Sequence, residues 1–212
     1  MTLAIERPPQ TRSITVEEFL IQYGDDDRYE LIDGEIFDLE PTGEHEEVAA
    51  FVSRKVNVQI DNLDLPYFIP QRCLIKPPGT TIAFRPDLVV LDRAQLHLEP
   101  RWSQEPIITL GSSIKFIAEV VSSNWQNDYS RKFEDYAQHQ IPEYWIIDYA
   151  ALGGIRHIGK PKQPTLTLCT LVEDEYETKI LRGNDPIVSS IFPGLILTAN
   201  QVMRSTSPIP NN

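Results

Sequence analysis

Two apolar stretches of this sequence, Ile82 to Leu91 and Ile114 to Val121, have the composition of buried strands, and each contains a misplaced charge. Asp87 follows Pro86 at the entrance to Val89-Val90-Leu91, and Glu119 interrupts Ile117-Ala118 and Val120-Val121. A lone buried carboxylate is costly, so each needs an ion, a basic partner or a proton. A fold that sets the two side by side satisfies both with one shared divalent ion. On the second stretch, the two-residue period of a strand puts Lys115, Ile117, Glu119 and Val121 on one face and Phe116, Ala118 and Val120 on the other. No lysine follows Glu119 on its strand. The next one downstream is Lys132, in the helix that follows, and a helix packed over the strand ends brings its amine back to the carboxylates. Oxygen ligands beside an amine suit magnesium or manganese, not zinc.

The rest of the chain supplies the frame. Ser13 to Ile21 reads as a short helix capped by Thr15 or Ser13, with Val16, Phe19 and Leu20 on one face. Tyr29 to Ile32 and Glu35 to Leu39 flank Asp33-Gly34, a dipeptide suited to a type I′ hairpin turn. From Glu44 to Ile60, opened by Pro41-Thr42-Gly43, Val48, Val52, Val56 and Ile60 recur at every fourth position, as in an amphipathic helix. Tyr67 to Pro70, running into Cys73 to Lys76, precedes the two strands already described. The polar segment from Asp92 to Ser113 reads as a surface excursion. Asp128 caps a helix through about His139, and Glu143 to Asp148 returns as a strand. After Gly153-Gly154 come short alternating runs, Ile155 to Ile158, Leu166 to Leu171 and Tyr176 to Leu181, expected as an antiparallel extension that Phe192 to Leu197 closes. The class is α/β (α+β), a mixed β-sheet carrying helices.

A length of 212 residues fits one domain, with a core at about 13–150, a β extension at about 151–200 and loose Pro-rich ends (Pro8-Pro9 and Ser207 to Asn212). Cys73 and Cys169 lie far apart in apolar runs and read as buried hydrophobes rather than a disulfide or a zinc site. No stretch approaches the ~20 apolar residues of a membrane span, and the opening segment has no signal-like apolar run, so a cytoplasmic location is expected. The net charge of −12 argues against tight, nonspecific binding to nucleic acid, although carboxylates gathered around a metal contribute to that total.

Pro86-Asp87, Glu119-Val-Val121 and Lys132 resemble the PD-(D/E)XK nuclease signature, in the variant where the lysine has moved from the strand to the next helix. More narrowly, the chain resembles the Uma-two family of restriction-endonuclease-like proteins. The resemblance is carried by Tyr29 to Glu35, Pro41 to His45, Arg85 to Val90, Ala118 to Ser122, Asp128 with Lys132 and Tyr136, and Ile141 to Asp148, in that order. It runs from about Thr15 to Leu197. It implies a restriction-endonuclease-like core, a Mg2+- or Mn2+-dependent endonuclease acting on DNA, and a homodimer. Carried over by position, Asp87 and Glu119 bind the ion, while Lys132 orients the attacking water or stabilises the charged transition state. Ser122-Ser-Asn-Trp125 stands where the family has a Ser-Pro-Ser-Thr type turn, so the loop beside the site is altered.

Each residue also has a plainer reading. Asp87 and Glu119 pair with Arg85 or Lys115 in that view, and Lys132 lies on a solvated helix face while Arg131 takes a carboxylate. Glu35, His45 and Asp128 are accessory candidates. Glu35 could complete an acidic cluster, which a charged hairpin edge explains almost as well; His45 could reach the pocket as a base or ligand, a partly exposed first-turn histidine being the commoner case. Trp145 reads as core; neither it, Trp125 nor Tyr144 is counted as a nucleic-acid contact. The rival in a different functional class is a noncatalytic binding or assembly protein that retains the nuclease fold.

Overall fold

The structure, a computed structural model, describes residues 13–39 and 41–206. The chain ends expected to be loose lie outside the described residues. Helix α1 (Val16–Tyr23) starts at Thr15, whose hydroxyl accepts from Glu18 N at 3.1 Å while Thr15 N donates to the Glu18 carboxylate at 2.9 Å, satisfying two otherwise open groups. Strands β1 (Tyr29–Ile32) and β2 (Glu35–Asp38) form the expected hairpin, with Asp33 and Gly34 at φ 51° and 81°, as a type I′ turn requires. Helix α2 (Gly43–Asn62) is capped by Thr42, whose hydroxyl accepts from His45 N at 3.3 Å; Val48, Val52, Val56 and Ile60 form its buried stripe.

Strands β3 (Tyr67–Phe68), β4 (Leu74–Ile75), β5 (Leu88–Asp92), β6 (Ile107–Ile108) and β7 (Ile114–Val120) follow. Next come α3 (Lys132–Gln138), β8 (Glu143–Asp148), α4 (Ile155–Ile158), β9 (Thr165–Val172), β10 (Glu175–Leu181) and α5 (Ala199–Met203). The central sheet has six strands in the order β10-β9-β8-β7-β5-β3. Only β7 and β8 are parallel within it; the other neighbours run antiparallel. A parallel pair needs a crossover, and α3 supplies it. The fold is thus a mixed α+β sheet with helices on both faces. Phe116, Ala118, Val120, Trp145 and Ile147 pack beneath α2 and α5, while Val89, Ile117, Val121 and Tyr144 face Tyr136 and Ala137 of α3. Among the described residues no helix is long and apolar enough to cross a membrane.

Several expectations are corrected. Ile82 to Leu91 is not one strand. Ala83 and Phe84 bridge to Leu31 and Ile75, away from the central sheet, and Pro86, which has no N–H for a ladder, separates them from β5. Likewise β3 joins the central sheet while β4 pairs with β6. The segment from Asp92 to Ser113 is not wholly superficial: Ile107 and Ile108 are buried, and the buried Glu99 carboxylate accepts from Thr109 N, Thr109 Oγ1 and Leu110 N. Ile155 to Ile158 is a helical turn, because Gly159 at φ 74° ends it and only Ile158 turns inward. Asp128 does not cap a helix. It lies within a π-helical turn, Asn127–Arg131, that runs directly into α3.

Phe116 is fully buried between the Trp145 and Phe192 rings, with centroids 5.0 and 5.6 Å away. Phe116→Ala is expected to lower the unfolding free energy by about 3–5 kcal/mol. Val188→Ala, at a side chain left 66% exposed, should change it by less than about 0.5 kcal/mol. Urea denaturation midpoints check both.

Candidate functional site

The antiparallel register of β5 on β7 pairs Leu88 with Ala118, so the next position outward brings Asp87 opposite Glu119. The two are tied reciprocally through the backbone. Val120 N donates to Asp87 Oδ2 at 2.7 Å, and Asp87 N donates to Glu119 Oε2 at 3.4 Å. Asp87 remains 23% exposed and lines the opening, whereas Glu119 is only 2% exposed. Neither takes the plain ion pair. Arg85 goes to Asp27 at 3.0 Å and Lys115 to Asp92 at 3.3 Å.

Lys132, at the start of α3, reaches back as the crossover topology requires. It is buried, not solvated, and its ammonium lies 3.2 Å from Glu119 Oε1, 3.3 Å from Glu30 Oε2 and 3.5 Å from Asp128 Oδ1. Three donors face three carboxylates. Arg131 points elsewhere, to Asp33 at 2.8 Å and Asp135 at 3.2 Å. Tyr136, one turn further along α3, donates its hydroxyl to Glu119 Oε1 at 2.7 Å, and Tyr144 donates to the Asp128 carbonyl at 3.0 Å.

His45 also joins the cluster. Thr42 fixes the first turn of α2 so that the imidazole is buried, with Nε2 2.8 Å from the Val120 carbonyl and 3.3 Å from Asp87 Oδ2. Burial opposes its charged form, but the Asp87 carboxylate and the Val120 carbonyl outweigh burial and raise its pKa. Glu35, by contrast, is exposed on β2 and takes no part. The same hairpin delivers Glu30 instead, 2% exposed and accepting from Arg85 N at 3.4 Å. Glu30 was legible in principle: it alternates onto the same face of β1 as the apolar Ile32. Trp145 is core, as expected, and Trp125 packs against Tyr129 and His157.

Electrostatically the cluster is short of positive charge. Burial drives the pKa of Glu119 well above the ordinary carboxylate range, Lys132 partly offsets this, and Asp87, Asp128 and Glu30 add to it. Burial likewise pushes Asp128 up to about 7 and raises Glu30, against the pull of Lys132. The ammonium itself stays charged: Glu119, Glu30 and Asp128 raise its pKa despite its own burial. A cavity of about 30 Å³ opens over these groups, lined by Asp87, Glu119, Asp128, Lys132, Ser122 and Asn124 among others. Among the described residues no three His, Cys, Asp or Glu side chains converge to enclose a metal ion by themselves. Asp87 and Glu119 are the pair that could share one, leaving other positions open, which suits an ion that keeps several waters.

Removing the ammonium isolates buried carboxylates. Lys132→Met is therefore expected to cost about 3–5 kcal/mol of stability, while Glu35→Gln on the exposed hairpin edge stays within about 0.5 kcal/mol. Chemical denaturation of both variants checks this.

The comparisons with known proteins agree with this architecture. A crystal structure described as a "putative nuclease belonging to DUF820" from Anabaena variabilis superimposes with a TM-score of 0.67, covering 91% of this chain and 99% of that one at 18% identity. At that identity the likeness establishes the fold. No curated protein sequence matches the chain significantly. The profile of the Uma2 family, described as "Putative restriction endonuclease", matches residues 16–200, most of the chain's length. The chain is a member of the Uma2 family.

Proposed function

We propose that this protein is a nuclease that uses a divalent ion, Mg2+ or Mn2+, to hydrolyse phosphodiester bonds of DNA. The observation that carries the reading is the meeting of Asp87, Glu119 and the Lys132 ammonium at an open cavity whose buried carboxylates outnumber the cations beside them. The donor set fits such an ion: hard carboxylate oxygens in a site that lacks positive charge. Asp87 and Glu119 would hold it, and when bound it would supply Lewis-acid polarisation of the phosphate and an acidified water.

The chain's own groups do the rest. In hydrolysis the water oxygen bonds to phosphorus, the bond from phosphorus to the leaving oxygen breaks, and that oxygen acquires a proton. Lys132 is placed to stabilise the charge that builds on the phosphoryl oxygens or to orient the water. Tyr136 and the Asp87 N–H hold the Glu119 carboxylate, and His45 with Val120 N holds Asp87, so each acts as a positioning group. A homodimer would present two such sites to the two strands of a duplex.

Plasmid nicking in Mg2+ or Mn2+ at low salt tests this. Wild type should cut, Asp87→Asn should abolish cutting with the fold retained, and Lys132→Met should slow it by about 10²–10³-fold. Unchanged cleavage by Asp87→Asn sinks the proposal. A second measurement is thermal: millimolar Mg2+ should raise the melting temperature of wild type but not of Asp87→Asn. The net charge of −12 favours a second reading, a noncatalytic binding or assembly protein. Absence of both cleavage and metal stabilisation selects it.

A further inference from the structure

We propose that Arg72 is a phosphate contact for the nucleic-acid strand, held in the free protein by the carboxylate of Asp27, whose place a substrate phosphate takes. This rests on the nuclease reading and adds a binding residue to it. A cleft of about 740 Å³ lies beside the carboxylate cavity and shares Leu39, Arg85 and Asp87 with its lining. A strand whose reacting phosphate sits at Asp87 has its neighbouring phosphates in that cleft.

The arginines on the cleft wall are not equivalent. Arg85 is 8% exposed and fully engaged: Nε donates to the Tyr29 carbonyl at 2.9 Å, Nη1 to Asp27 Oδ1 at 3.0 Å, and Nη2 to the Gly24 and Tyr23 carbonyls at 2.8 and 3.3 Å. It is committed to holding the 23–29 loop. The other oxygen of Asp27 accepts from Arg72 Nε, and Arg72 Nη2 donates to the Asp25 carbonyl at 2.8 Å. This outer pair is open to solvent, with Arg72 52% and Asp27 49% exposed. An exposed ion pair exchanges partners readily, and a guanidinium fork fits a phosphate as well as a carboxylate. Asp27 keeps Arg85 when Arg72 leaves, so no buried charge is orphaned by the exchange. Asp25, Asp26 and Glu46 line the same cleft, so the free protein masks the charge a polyanion would seek.

Fluorescence anisotropy of a short labelled DNA duplex, with Ca2+ in place of Mg2+ so that binding is read without cutting, tests the exchange. Melting temperatures check that each variant is folded. Asp27→Asn should bind about 5- to 10-fold more tightly than wild type at about 0.1 M salt, the scale of one phosphate contact. Arg72→Ala should bind more weakly, with a slope of log affinity against log salt shallower by about 0.9. The Asp27→Asn gain should vanish in the double variant and exceed that of Asp64→Asn, an exposed charge lining neither cavity. An equal gain with and without Arg72, or a wild-type salt slope in Arg72→Ala, overturns the proposal and leaves the nuclease reading standing. No binding by wild type or any variant removes the nuclease reading and the proposal together.

Discussion

A single buried ammonium organises this molecule. Lys132 gathers Glu30 from the hairpin, Glu119 from the central sheet and Asp128 from the π-helical turn, each within 3.5 Å of Nζ. Taking these charges out of water is unfavourable for every one of them, and their mutual attraction offsets that only while the geometry holds. The hairpin is not a strand of the central sheet. Its position over the sheet rests on the Leu31 to Ala83 bridge, the Arg85 contacts and this lysine.

The lysine's place follows from topology. Strands β7 and β8 run parallel, so the chain must cross over after Glu119, and the helix of that crossover begins beside the strand end where Glu119 lies. Having Lys132 at its first position brings the amine back without a long loop. The neighbouring strand end is equally constrained, because the β5 to β7 register sets Asp87 against Glu119, with Asp87 N donating to the Glu119 carboxylate and Val120 N to that of Asp87. The facing carboxylates and their basic partner are thus products of strand order, and other residues tune them.

How much of this was legible varies with the kind of signal. Asp87 and Glu119 stood out because each breaks an apolar strand pattern, and Lys132 because the next helix had to return over them. The hairpin turn and both capped helices were written locally, in Asp33-Gly34, Thr15 and Thr42. Glu30 was missed in favour of Glu35: both lie on the hairpin, and the one signal that separated them was the alternation placing Glu30 on the same face of β1 as Ile32. The Ile155 run failed for a related reason, since its alternation was too short to outweigh the glycines that bound it. For His45 the sequence left both a place in the pocket and a partly exposed first turn open, because burial of a first helical turn depends on what it meets, here the end of β7. The hydroxyl role of Tyr136 was hidden by its place in an apolar helical stripe.

The spread of the Lys132 partners along the chain has a consequence for biosynthesis. Glu30, Glu119 and Asp128 all leave the ribosome before the lysine that makes their burial tolerable, and until it emerges the hairpin cannot settle on the sheet without stranding carboxylates in apolar surroundings. Assembly of the hairpin on the sheet around these carboxylates therefore requires the crossover helix. A nascent chain of this protein holds no assembled centre until the crossover helix has been made.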